Sequence, residues 1–483
     1  MWNLITSFWP LFLGLFSVSL AMSATVHIVL RKRDSRAAIA WTGLVWLAPI
    51  TGSIAYFLLG INRIQRKAIS LQFRKAWKLR HRPIPTAAEL ESRDRFVAEH
   101  PNFVGLATLG SHLTKRHVLP GNRVTPLVNG DQAYPAMIQA IDQATTSVAL
   151  LSYIFDSDRA GQLFLDALVK AQNRGVIVRV LIDDVGSRYS RPNMIRRLKE
   201  AGIAASSFLP TRVPRLFKYA NLRNHRKILV VDGKIGFTGG TNIRECHWMA
   251  IQPSYPVQCV HFQIEGPVVA HLQEVFTIDW AFASGEELAG EAWFPDIERA
   301  GAVWARGIPD GPDEDFEKLS DAMQGALATA SKTVRIVTPY FLPDNAVISA
   351  LNITALRGVD VQIYLPEKNN FTLVNWAATA SYSQLLSKGC RIFLTPPPFD
   401  HTKLLAVDDA WSLIGSTNWD PRSLQLNFEF NVECYDEPLA RQLMALIHTK
   451  GQNAKEVTLD DLRRRPLLIR LRDGLARLLT PYL

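Results

Sequence analysis

Two stretches decide the fold, Asn224-His-Arg-Lys-Ile-Leu-Val-Val-Asp232 and His401-Thr-Lys-Leu-Leu-Ala-Val-Asp408. Both read His-x-Lys-x4-Asp, and each leads to a short segment that ends in asparagine, Gly239-Gly-Thr-Asn242 or Gly415-Ser-Thr-Asn418. Because side chains alternate along an extended strand, the histidine and lysine of each copy lie on one face. The apolar residues that follow continue each strand into a core. Two matched copies predict a duplicated unit whose two strand ends form one pocket.

The repeat extends beyond these motifs. Residues 148–155 have a buried-strand pattern, residues 163–172 have helical spacing, and residues 175–182 form a second strand pattern. The second half repeats this order over residues 334–364, and both halves share the helix-to-strand junction Arg-Gly-Val-x-Val. Strand, helix and strand in succession indicate a right-handed crossover in a mainly parallel sheet. We predict an α/β fold with pseudo-twofold mixed sheets flanked by helices, and an active site at their junction.

The predicted pocket suits a phosphodiester. Two ammonium groups and backbone donors from small residues can hold the anionic oxygens, whose charge rises in the transition state. One histidine can attack phosphorus and form a covalent intermediate. The other can protonate the leaving alkoxide and then take a proton from the incoming alcohol. The motifs therefore predict phosphoryl transfer through a phosphohistidine.

The first sixty residues are far more apolar than the rest. Residues 1–30 contain no charged side chain, the basic cluster Arg31-Lys-Arg33 follows, and a second uncharged stretch covers residues 37–62. Each stretch exceeds the roughly 20 residues that a membrane-spanning helix needs. A signal peptide begins with basic residues, and the first thirty residues of this chain contain no lysine or arginine. We predict a two-helix transmembrane hairpin over residues 1–62, kinked at Pro49, and the basic residues after it favour a cytoplasmic catalytic domain.

Charge and cysteine content narrow the possible partners and ligands. The net charge of +10 and a pI near 9.4 indicate an anionic partner, either a membrane surface or nucleic acid. The four cysteines form no Cys-x-x-Cys pair and have no zinc-ligand spacing with a histidine. We therefore expect neither a disulfide framework nor a metal site.

The motifs and their surroundings resemble the bacterial cardiolipin synthases of the phospholipase D superfamily. The resemblance rests on the two His-x-Lys-x4-Asp motifs, the N-terminal hairpin, and the segments Ile264-Glu-Gly-Pro267, Gly415-Ser-Thr-Asn-Trp-Asp-Pro-Arg-Ser423 and Asn427-Phe-Glu429. It implies a multi-pass protein of the bacterial inner membrane that joins two phosphatidylglycerol molecules into cardiolipin and releases glycerol. It also implies that no cofactor is used and that nucleic acid is not a partner.

The same resemblance implies roles for individual residues. His225 would be the nucleophile and His401 the general acid and base, with the reverse assignment as the alternative. The expected phosphate-binding and supporting residues are Lys227, Lys403, Gly240, Asn242, Ser416 and Asn418. Asp232 and Asp408 complete the catalytic motifs and are expected to hold the motif loops together. Glu429 would orient His401, whereas Cys259 occupies the matching, usually acidic, position of the first half.

The predicted segments are a hairpin (1–62), a basic juxtamembrane linker (63–119), two phospholipase D-like repeats (120–310 and 311–455) and a basic amphipathic C-terminal segment (456–483). The arginines and leucines of residues 463–483 fit either a helix at the membrane interface or a helix packed on the domain. Residues 64–82 are similar and adjoin the membrane. Other functions left open are a hydrolase or a transferase with another donor, a tethered nuclease, and a non-catalytic lipid-binding scaffold.

Overall fold

A computed structural model describes residues 2–32, 35–60, 94–189, 191–210, 222–312 and 317–480. The chain divides into two compact units, Met1–Ala76 and Trp77–Leu483. The basic segment 64–82, which the sequence analysis placed next to the membrane, lies outside the described residues, as do residues 481–483.

The N-terminal unit is helical. Its helices are α1 (Trp2–Arg31), α2 (Ser35–Leu47) and α3 (Pro49–Ala55), and a π-helical turn at Tyr56–Gly60 follows. Among the described residues, one helical stretch, Trp9–Arg31, is long and apolar enough to cross a bilayer. The second predicted span is broken between α2 and α3, where Pro49 has no N–H to continue the helix. The hairpin is therefore supported in its first helix, and its second arm is interrupted.

The two arms of this unit contact each other. Ala21, Ala24 and Ile28 of α1 form a small buried cluster with Val45 and Tyr56. His27 Nδ1 lies 2.7 Å from the hydroxyl of Tyr56 within the same cluster.

The second unit is built on a mixed sheet of repeated design. Its strands are β1 (Leu119–Val128), β2 (Ser147–Ser152), β3 (Ile177–Asp183), β4 (Ala204–Phe208), β5 (Arg223–Asn224), β6 (Ile228–Val231), β7 (Ile235–Gly239), β8 (Val257–Gln258), β9 (Val260–Glu265), β10 (Val303–Asp310), β11 (Thr333–Val337), β12 (Asp360–Pro366), β13 (Arg391–Thr395), β14 (Phe399–Asp400), β15 (Leu404–Val407), β16 (Trp411–Gly415), β17 (Asn427–Tyr435) and β18 (Lys455–Val457). The first half has the order β4-β3-β2-β6-β7-β9-β1, and the second half has the matching order β13-β12-β11-β15-β16-β17-β10. Antiparallel pairing of β1 with β10 joins the halves about a pseudo-twofold axis. The predicted duplicated fold is confirmed.

Helices cover both faces of this sheet. They are α4 (Val104–Thr114), α5 (Asn129–Gln143), α6 (Arg159–Asn173), α7 (Met194–Glu200), α8 (Val269–Ser284), α9 (Lys318–Thr329), α10 (Asn345–Leu356), α11 (Thr372–Leu386), α12 (Pro421–Gln425), α13 (Glu437–Gly451), α14 (Leu459–Arg463) and α15 (Leu467–Leu478). In each half, the strands next to the crossover helices pair in parallel, β2 with β3 and β11 with β12.

Residues 94–114, which the sequence analysis assigned to a linker, belong to the core of the second unit. Phe96, Phe103 and Leu106 pack in one buried cluster with Trp304 and Tyr435. The Phe96 ring meets the Tyr435 ring edge-on, with 5.0 Å between centroids. This contact braces β10 and β17, the strands next to the pseudo-twofold axis.

Candidate active site

Each catalytic motif begins on a strand that pairs with the other half. β5, just before His225, pairs in parallel with the start of β17, and β14, just before His401, pairs in parallel with β8. The backbone N–H of His225 donates to the carbonyl of Phe428 at 2.9 Å, and that of His401 donates to Gln258 at 2.7 Å. These strand pairings between the two halves bring both motifs to the junction of the halves.

The two histidines face each other in one cavity. Their ring centroids are 6.4 Å apart and the rings are nearly perpendicular. The cavity has a volume of about 1070 Å³ and includes both histidines in its lining. The two motif histidines therefore share one cavity, whereas neither motif lysine is among its lining residues. The cavity volume lies at the upper end of ordinary small-molecule sites.

Glu429 contacts His225, and our expectation that it would orient His401 is wrong. Its Oε1 lies 2.9 Å from Nδ1 of His225. Glu429 lies on β17, whose parallel pairing with β5 delivers it to the first motif rather than to its own. Ser416 and Asn427 also donate to this carboxylate. Burial alone would raise the pKa of Glu429, but the adjacent His225 and Lys227 hold it below its usual value.

His401 has a neutral partner where His225 has a charged one. Its Nδ1 lies 3.0 Å from the carbonyl of Gly240, and the Cys259 thiol donates to the backbone carbonyl of His401 at 3.4 Å. Burial raises the pKa of that thiol, which stays neutral. A side chain at Gly240 would meet the Cys259 Sγ and the His401 carbonyl at 2.7 Å each, so glycine is required for this close approach. The histidines thus have unequal electrostatic support.

The electrostatics of the cavity favour neutral histidines. Burial lowers the pKa of His225 to about 4, although Glu429 opposes the shift. Burial and the charge of Lys403 hold the pKa of His401 well below its ordinary value. With Nδ1 of each ring bonded to an acceptor, Nε2 is the nitrogen left for chemistry.

Both motif lysines are buried beneath their histidines. Lys227 Nζ donates to the His225 carbonyl at 2.6 Å, and Lys403 Nζ donates to the His401 carbonyl at 2.7 Å. Burial lowers the pKa of Lys227 to about 7 and that of Lys403 to about 8, and the charge of Lys403 adds to the effect on Lys227. An anion bound between them would restore their positive charge.

The motif aspartates lie at the far ends of their strands. Asp232 accepts bonds from the backbone N–H groups of residues 145–147, and Asp408 accepts from those of residues 331–333. In both cases the carboxylate joins the motif to the start of the neighbouring strand. Neither residue lines the cavity described above.

The two motif asparagines lie at the cavity wall. The Asn242 Oδ1 accepts from the N–H of Ile154 at 3.2 Å, and Asn418 Nδ2 donates to Ser423 Oγ at 3.1 Å. Both residues line the cavity, which is compatible with a supporting role at the phosphate.

Sequence reasoning missed several residues of the site. Tyr153 lies against His225 with 5.1 Å between ring centroids, and His247 lies 6.2 Å from His401. Arg223 and Arg422 share the cavity wall, and burial together with the charge of Arg422 lowers the pKa of Arg223. A signal existed for Tyr153, which lies within the repeated strand pattern of residues 148–155, but none marked His247. Within the described residues, no cluster of three or more His, Cys, Asp or Glu side chains is arranged to hold a metal ion.

Comparison with known proteins identifies the family to which the chain belongs. The family model described as "Cardiolipin synthase, PLD-like domain" matches residues 137–280 and 323–449, which contain both motifs. The chain belongs to the cardiolipin synthase family. A second family model, the N-terminal region of phospholipase D nucleases, matches residues 19–60.

Relatives in the cardiolipin synthase family match almost the full chain. The major cardiolipin synthase of Bacillus subtilis is 29% identical over 479 residues and 98% of each chain. Cardiolipin synthase 2 of Staphylococcus epidermidis is 31% identical over 466 residues and 95% of each chain. Among solved structures, a phosphatidylserine synthase of Haemophilus influenzae shares the fold, with a TM-score of 0.57, 15% identity, and coverage of 74% of this chain and 95% of its own.

Proposed function

We propose that this protein is a cardiolipin synthase that transfers a phosphatidyl group from one phosphatidylglycerol to the terminal hydroxyl of another. The observation that carries this proposal is the pair of histidines from two repeats, facing each other with unequal partners. Relatives that bear the name cardiolipin synthase match over nearly the whole chain, which favours a lipid substrate over nucleic acid.

In the first half-reaction, Nε2 of His225 attacks the phosphorus of the donor lipid. His401 takes up a proton on Nε2 when the donor binds, because the negative charge of the phosphodiester favours the imidazolium. The bond between phosphorus and the headgroup glycerol oxygen breaks, and His401 gives that oxygen the Nε2 proton, so that glycerol leaves. The product is phosphatidyl-His225, whose imidazole carries positive charge next to the buried carboxylate of Glu429. Lys227 and Lys403 hold the non-bridging oxygens as their charge rises.

In the second half-reaction, the second phosphatidylglycerol takes the place of glycerol. His401, now neutral, removes the proton from its terminal hydroxyl, and the oxygen attacks phosphorus. The bond between phosphorus and Nε2 breaks, cardiolipin forms, and both histidines return to their starting states. One net phosphodiester exchange results, with no outside energy source.

The cavity wall offers different surfaces to the two ends of such lipids. Tyr340, Phe371, Leu373 and Phe399 give one side an apolar and aromatic lining. Arg223 and Arg422 also line the cavity, and their charges suit the phosphate of the acceptor lipid, which must be present beside the phosphohistidine.

The proposal includes the location of the protein. The apolar N-terminal helix and the match to the family's N-terminal region support membrane association. We propose a multi-pass protein of the bacterial inner membrane with its catalytic unit in the cytoplasm, on an anionic lipid surface. We also propose two repeats close to the predicted 120–310 and 311–455, supported by the two separate matches to the family model, but with β10 (Val303–Asp310) moved to the second repeat because its place in the strand order matches that of β1.

Product analysis tests the proposed reaction. Purified protein is mixed with micelles of labelled phosphatidylglycerol, and lipids and water-soluble products are resolved by thin-layer chromatography and mass spectrometry. We expect cardiolipin and glycerol in equal amounts, and neither from the His225→Ala variant. Phosphatidic acid without cardiolipin would establish a hydrolase instead, and no turnover of phosphatidylglycerol by folded protein would refute the proposed function.

A further inference from the structure

The last helix, α15, has a face of leucines that no other part of the described chain covers. The solvent-exposed fraction of each residue is 68% for Leu467, 78% for Leu468, 53% for Leu471, 65% for Leu475 and 70% for Leu478. At 100° per residue, these positions share one side of the helix. Exposed apolar strips of this kind mark surfaces that bind other molecules.

Buried polar contacts fix the orientation of this helix. Asp473 is 1% exposed and pairs with Arg465 at 2.6 Å and with Arg472 at 2.8 Å. The Arg472 guanidinium lies 4.1 Å from the ring centroid of Trp376 on α11, and Ala476 is buried beside it. The side with Asp473 and Ala476 is thus anchored to α11, and the leucines are held outward.

The direction of α15 brings its C-terminal end towards the part of α11 that borders the cavity. Burial raises the pKa of Tyr382, in the second half of α11, and the nearby charge of Arg465, before α15, opposes this shift, whereas Arg472 contacts Trp376 near the start of α11. The two helices therefore run antiparallel, and the C-terminal end of α15 points towards the first residue of α11. Phe371 and Leu373, which line the cavity at that end, are themselves 54% and 37% exposed.

The charged residues around the leucines indicate which kind of partner this face binds. Arg463, Arg464, Arg470 and Arg477 are exposed on or beside α15, while its single acidic residue, Asp473, is buried and paired. A strip of leucines flanked by arginines fits the interface of a bilayer, where apolar side chains enter the acyl boundary and arginines contact anionic headgroups.

We propose that α15 is a membrane-docking helix that places the mouth of the cavity on a bilayer containing anionic phospholipid. This inference rests on the proposed function for its purpose, because a docked cavity would receive long-chain lipid without lifting it through water. Lipid contact by the leucines is a separate physical statement that is testable without turnover.

Two double variants of the full-length chain test the effect on activity. Leu471→Gln with Leu475→Gln removes apolar contact from the docking face. Leu163→Gln with Ile177→Gln is the matched control, because these residues are 41% and 40% exposed on the first repeat. Each protein is assayed on long-chain phosphatidylglycerol in vesicles and on short-chain phosphatidylglycerol dissolved as monomers.

We expect the α15 variant to lose roughly tenfold or more in rate on vesicles and to keep its rate on monomers. The control should keep both rates. Equal rates on vesicles, or equal losses on both substrates, would overturn the proposal. A change in particle mass by light scattering, together with the loss, would identify the face as a contact between copies and would also overturn it.

Photolabelling tests lipid contact independently of catalysis. Wild-type protein in vesicles that contain a phospholipid with a photoreactive acyl chain is illuminated, digested and mapped by mass spectrometry. We expect label in α1, the positive control, and in α15, but none in α7, a helix with exposed charged residues. Labelled α1 with unlabelled α15 would overturn the inference. If wild-type protein converts neither substrate, the proposed function fails while this labelling result still decides the docking.

Discussion

The contact between Glu429 and His225 predicts a large catalytic effect for a small chemical change, Glu429→Gln. The substitution keeps the shape of the side chain but removes the charge next to the histidine that becomes cationic in the intermediate. Unit charges about 4 Å apart interact by about 4 kcal/mol at an effective dielectric constant of 20. Since about 1.4 kcal/mol corresponds to a tenfold rate change, phosphatidyl-enzyme formation should slow by about 10³. Replacement of the aspartate by asparagine in a Ser-His-Asp triad costs about 10⁴ because it favours the wrong histidine tautomer, an effect that would add to the loss of charge here.

The matched control is Cys259→Ala, at the equivalent position of the first repeat. The Cys259 thiol is buried and neutral and makes weak hydrogen bonds to the backbone carbonyls of Val260 and His401, so its removal should change the rate by less than about threefold. Single-turnover formation of phosphatidyl-enzyme and steady-state glycerol release provide the two rates, and thermal melts verify folding. Retention of more than about a tenth of the wild-type rate by Glu429→Gln, or an equal loss in Cys259→Ala, would refute the reasoning.

Three further predictions follow from the site. His401→Ala should accumulate phosphatidyl-enzyme from a 4-nitrophenyl ester substrate, whose leaving group needs no acid, and His225→Ala should form none; mass spectrometry showing the opposite would reverse their roles. The KM for phosphatidylglycerol should rise several-fold between pH 7 and pH 9, because Lys227 and Lys403, with pKa values of about 7 and 8, lose their charge as pH rises, and an unchanged KM would contradict this. Asp408→Ala should cost about 2 kcal/mol of stability and lower Tm by several degrees through its lost backbone hydrogen bonds, with kcat nearly unchanged, whereas a loss of kcat without a Tm shift would place Asp408 in the chemistry.

The local sequence pattern was sufficient to predict the repeated unit, but not to predict which strands of one repeat pair with strands of the other. Alternation and spacing predicted the strands, the crossover helices and the two His-x-Lys pairs that share a pocket. Side-chain periodicity does not reveal which strand edge pairs across a pseudo-twofold axis. The pairing of β5 with β17 determines which histidine Glu429 contacts. Because the sequence does not reveal this pairing, Glu429 was assigned to the wrong histidine.

The C-terminal helix shows a second limit of pattern reading. Its amphipathic sequence allowed either a packed or an interfacial helix, and the usual expectation is that a packed helix buries its leucines. Here the buried side contains Asp473 and Ala476, because two arginines neutralise the carboxylate and one of them stacks on Trp376. Arg465 and Arg472 are close to Asp473 in sequence, but Trp376 lies on α11 and leaves no periodic signal in the sequence of α15.

The two repeats carry the same His-x-Lys motif, yet one histidine must act as the nucleophile and the other as the general acid and base. The nucleophile carries positive charge throughout the life of the intermediate, so a fixed carboxylate beside it is an advantage. The acid must release its proton in one step and accept another in the next, and a fixed carboxylate would hold that proton and weaken the acid. Glu429 supplies charge to His225, while the neutral thiol of Cys259 and the carbonyl of Gly240 supply none to His401. The departure at Cys259 therefore fits the assignment of His225 as nucleophile, since it breaks the symmetry of the site in the direction that the two half-reactions require.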